Sequence, residues 1–88
     1  MSLSEKDKNE VHEIFEKGWK FLNRILEKYP EFPQQPLTEE EWDNIINIQA
    51  GCYEKGQEYY KDDEASFFLY RSMLVNAVIF LEKKGGER

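Results

Sequence analysis

Residues 65–81 read A-S-F-F-L-Y-R-S-M-L-V-N-A-V-I-F-L, and only Ser66, Arg71, Ser72 and Asn76 among them are polar. A helix apolar on almost every side must be covered over most of its surface. A chain of 88 residues has little else to cover it with. On a helical wheel Phe67, Tyr70, Leu74, Val78 and Leu81 form one arc. Phe68, Val75 and Ile79 extend that arc on one side, and Leu69, Met73, Ala77 and Phe80 on the other. Ser72, Asn76 and Lys83 mark the polar strip. Two neighbours in a bundle cover about half to two-thirds of a helix. The flank of Leu69, Met73, Ala77 and Phe80 is therefore the candidate interface, covered by a second molecule or by helix 1 and the segment that follows it.

The rest of the chain supplies two more helices. Helix 1 spans about residues 4–29, with Ser2 or Ser4 as N-cap and Glu5 or Asp7 in capping-box position. Val11, Ile14, Phe15, Gly18, Leu22, Ile25 and Tyr29 make its buried stripe, flanked by Trp19, Phe21 and Leu26. Pro30 ends it, because it disfavours helical geometry at Tyr29 and has no N–H to donate. Residues 30–37 form a proline-rich linker, P-E-F-P-Q-Q-P-L, whose composition favours an extended polyproline II spacer with Phe32 folded back onto the helices.

Helix 2 spans about residues 39–61 and opens on L-T-E-E-E-W. Thr38 is the N-cap, Glu41 closes a capping box, and Leu37 and Trp42 occupy the staple positions. Its stripe runs through Ile45, Ile46, Gln49, Cys52, Tyr53, Gly56, Tyr59 and Tyr60. Helix 3 spans about residues 63–84, with Asp62 or Asp63 as its cap and Gly85 in position for a left-handed C-terminal cap. The short link between helices 2 and 3 makes them an antiparallel hairpin. No segment alternates with period two. The expectation is an all-α, three-helix up-down-up bundle, one domain over residues 1–88 with a frayed tail at 85–88.

Charge bounds the function. The net charge is −6, with nine acids against two bases over residues 39–64, which argues against nucleic-acid binding. Cys52 is the only cysteine, so no internal disulfide forms and a reducing compartment is expected. The first dozen residues carry no secretory signal. The apolar run falls short of the roughly 20 residues a membrane span needs, and Arg71 and Asn76 interrupt it. The reading is a cytoplasmic protein.

The residues that carry chemistry elsewhere are isolated here. His12 has no ligand or nucleophile at catalytic or metal-site spacing. Cys52 falls within an apolar stripe, where a thiol is structural. The acidic clusters Glu39-Glu40-Glu41-Asp43 and Asp62-Asp63-Glu64 lie at helix starts, where capping and the helix dipole account for them. Gly18 and Gly56 lie in mid-stripe and imply close packing, whereas Gly51 falls on the exposed face without a packing reason. No catalytic, cofactor or metal site is expected.

In residues 38–84 the order T-E-E-E-W, I-I, Y-E-K, an aromatic-rich helix and L-E-K-K resembles small uncharacterised helical proteins of Gram-positive phages and mobile elements. That resemblance implies no activity and no site residues. The expected function is a non-enzymatic interaction or accessory protein, binding a protein partner or itself through helix 3. The alternative is an acidic mimic of nucleic acid that inhibits through the helix 2 carboxylates. No small-molecule substrate suggests itself.

Overall fold

The computed structural model describes residues 2–85. It contains three helices, α1 (Glu5–Lys28), α2 (Glu39–Tyr59) and α3 (Glu64–Gly85), and no strand among the described residues. Each start is chemically specified. Ser4 Oγ accepts the Asp7 N–H at 3.1 Å. Thr38 Oγ1 accepts the Glu41 N–H at 3.1 Å while the Glu41 carboxylate accepts the Thr38 N–H at 2.8 Å, a complete capping box. Asp63 accepts from both the backbone and the hydroxyl of Ser66, at 3.1 and 2.7 Å.

The helices run up, down and up, so α1 and α3 are parallel and α2 is antiparallel to both. α3 is the common neighbour, packed along α1 and along α2, whereas α1 and α2 approach less closely. The body is an elongated rod of 47 × 21 × 19 Å. Ile14 and Ile25 of α1, Ile45 of α2, and Leu74 and Leu81 of α3 are completely sealed, with Phe21, Trp42, Tyr60, Tyr70, Ala77 and Val78 around them. No polar or charged side chain is buried among the described residues.

Glycines set how closely α3 is approached. A Cβ on Gly18 would stand 3.0 Å from Met73 Cβ. One on Gly56 would stand 2.6 Å from the Tyr70 ring. Both glycines let a side chain of α3 lie directly on a neighbour's backbone, which offsets their poor helix propensity. Gln49 Nε2 also donates to the Leu74 carbonyl at 3.0 Å, tying α2 to the α3 backbone.

Two local expectations change. The linker is a compact turn and not an extended spacer: the Phe32 N–H donates to Tyr29 O at 3.1 Å, and the Gln35 N–H to Glu31 O at 2.8 Å. The Phe32–Pro33 peptide is cis. Phe32 meets Trp42 edge-on, with ring centroids 6.4 Å apart, and lies against Gly85. That apolar anchor curls the segment back onto the bundle. Gly85 accordingly serves close approach within the last helical turn, where the sequence suggests a left-handed cap. The tail expected to fray lies, past Gly85, outside the described residues.

Candidate functional site

The structure divides the expected interface on α3. Ala77 is buried, Met73 is half-buried and lies over Gly18, and Leu69 packs against the core. Phe80 remains 45% exposed. α1 covers much of this flank because Gly18 lets it come close. The outer side of α3 is instead formed by Phe68, Val75 and Ile79, all substantially exposed.

A second exposed apolar set comes from α1. Phe15, expected in the buried stripe, is 51% exposed, and Trp19 is 59% exposed. The reason is the placement of α2. Lys17 faces α2, donating to the Tyr60 hydroxyl at 2.8 Å and lying 4.0 Å from the centre of the Tyr59 ring. At 100° per residue, Phe15, Trp19, Leu22 and Leu26 fall on the opposite flank of α1. On α3, Phe67 and Tyr70 take the α2 side beside Gly56, and Met73 takes the α1 side. Leu69 and Phe80 continue beyond Met73, away from α2. The two flanks therefore fall on the side of the α1–α3 pair that α2 does not cover. Leu69, Met73 and Phe80 lie on its α3 flank, and Phe15 and Trp19 on its α1 flank. The wheel of α3 alone could not reveal the α1 flank; the signal was the width of the α1 stripe, seven positions plus three flanking ones.

α3 is also long and apolar enough to cross a membrane by length and composition. Only 28% of its most apolar window is buried, so much of its greasy length faces outward.

The remaining candidates take ordinary surroundings. His12 is exposed. Cys52 is half-buried and free, beside Tyr70. Burial, and then the neighbouring thiol, push the Tyr70 phenol up to about 12. Burial likewise raises the Tyr60 phenol, against the opposing pull of its Lys17 hydrogen bond. Among the described residues no three His, Cys, Asp or Glu side chains converge on a point that could hold a metal ion. Glu41 and Asp63 serve as cap partners.

Comparison with protein families, with characterised proteins and with solved structures returns no match.

Proposed function

We propose that this chain is a non-enzymatic, cytoplasmic accessory protein that works by binding protein, in the first instance a second copy of itself. Association runs through the side of the α1–α3 pair that α2 leaves uncovered and through the outer face of α3. The observation that carries this reading is the exposure of Phe15, Trp19 and Phe80 beside half-buried Leu69 and Met73. Monomeric soluble proteins rarely expose contiguous apolar patches larger than a few hundred Å². Trp and Phe are also the side chains that contribute most to binding when a partner desolvates them. The resemblance of residues 38–84 suggests the setting, an accessory protein of a phage or mobile element.

The test is the mass in solution. Light scattering coupled to size exclusion is expected to give a dimer that dissociates on dilution. Trp19→Ser with Phe80→Ser is expected to give a monomer of unchanged helicity. A wild-type chain that stays monomeric at high concentration overturns self-association. Flotation with neutral lipid vesicles would show instead that the apolar surface meets a bilayer.

A further inference from the structure

The other seam of α1 carries different chemistry. Between α1 and α2 lie two cavities of about 210 and 230 Å³ that share Lys17 and Tyr70 as lining residues. Lys17, Lys20 and Arg24 of α1 and Lys55 of α2 line them, with Cys52 and Tyr70 on the inner side. No carboxylate lines either cavity, although the chain carries a net charge of −6. Glu13, one turn before Lys17, stays outside both. Lys17 is fixed by the Tyr60 hydroxyl and the Tyr59 ring. Lys20 and Arg24 have no ion pair or hydrogen bond among the described residues. Four like charges around one cleft repel one another.

We propose that the α1–α2 cleft binds a compact polyanion, a small ligand bearing several phosphate groups in series. Arg24 and Lys20 are its principal contacts, and Lys17 and Lys55 hold its far end. The guanidinium fork matches phosphate oxygens in pairs, and the ammonium groups add point charge. Lys17 and Arg24 are about 10 Å apart along the helix at its 1.5 Å rise per residue, so the positive charge is spread over a length that several linked phosphates match. This site lies on the side of α1 away from the proposed association surface and does not depend on it.

Inorganic tripolyphosphate is the probe, titrated into the full-length chain by calorimetry and followed by amide chemical shifts. Saturable binding is expected, with shifts at Lys20, Arg24 and Cys52. Occupancy should also protect the Cys52 thiol from a neutral disulfide reagent. Lys20→Gln and Arg24→Gln should each weaken binding by about tenfold, the worth of a charge-assisted hydrogen bond. Thermal melts establish that each variant is folded, and the two glutamine substitutions are at exposed positions. Absence of saturable binding at millimolar concentration overturns the proposal. So does equal binding by the glutamine variants, or the same response to sodium chloride at matched ionic strength. Orthophosphate binding as tightly as tripolyphosphate overturns the requirement for several phosphates.

Discussion

Leu74 and Val75 are consecutive and equally apolar, yet Leu74 is completely buried and Val75 is 36% exposed. The same division runs the length of α3: Tyr70, Leu74, Val78 and Leu81 face inward, and Phe68, Val75 and Ile79 face out. The helix's own sequence hardly distinguishes the two sides. Its neighbours do, because the side chains that α3 lays on them meet a glycine. Met73 lies on Gly18 and Tyr70 on Gly56. Missing side chains on α1 and α2 thus decide which face of a uniformly apolar helix becomes core.

The comparison breaks if both faces respond alike to truncation. Leu74→Ala is expected to cost about 2–5 kcal/mol, lost burial plus the cavity left behind. Val75→Ala removes a side chain that is partly wet and should cost less than about 1 kcal/mol. Urea unfolding, with the slope checked for constancy, measures both. Similar losses would mean that the outer face is buried by association at the concentration used, so the pair should be repeated at high dilution.

The glycines sharpen the comparison within one helix. Gly56→Ala gains about 1 kcal/mol of helix propensity but places a methyl 2.6 Å from the Tyr70 ring. Overpacking should win, for a net loss of about 1–3 kcal/mol. Gly51→Ala meets open space and should stabilise by up to about 1 kcal/mol. Opposite signs in thermal melts are the expected result.

Much of this architecture is legible in the sequence itself. The capping box at Thr38 and Glu41 is a local signal written in adjacent residues, and the structure shows both of its hydrogen bonds. The three-helix architecture follows from periodicity and from Pro30. What periodicity could not supply is which flank of each stripe finds a partner. Phe15 satisfies the helical spacing of α1 as well as Ile14 does, yet Ile14 is sealed and Phe15 is half exposed. That outcome depends on α2 lying against Lys17, a long-range fact. The linker departs from its composition for a similar reason: proline content favours extension, but the docking of Phe32 on Trp42 and Gly85 outweighs it.

The inner face also differs from the outer in its response to alkali, an effect silent at neutral pH. The Tyr70 phenol is raised from 10.0 to about 12 in the folded chain, chiefly by burial. A raised acid of this kind contributes stability below the unfolded value of 10.0, and that stability is lost as pH climbs towards 12. Tyr70→Phe keeps a ring over Gly56 and removes the ionisation. It should therefore extend the alkaline limit measured by circular dichroism. Tyr60 is raised in the same direction, so part of the alkaline sensitivity should survive the substitution.

The smallest effect belongs to the acid limb and to the start of α3. Asp63 is held below its ordinary 3.8, first by the Ser66 hydroxyl and then by the Ser66 N–H. A depressed carboxylate contributes stability above the unfolded value, and loses it as pH falls through the folded one. Asp63 is fully exposed, so solvent and salt screen the effect. Asp63→Asn keeps an oxygen for the Ser66 N–H but cannot take up a proton. Its melting temperature should fall less between neutral pH and pH values below 3.8 than that of the wild type. Asp63→Ala removes the cap altogether and should be the less stable of the two at every pH. Identical acid limbs for wild type and Asp63→Asn would mean that the Asp63 carboxylate adds nothing to the acid sensitivity of the fold.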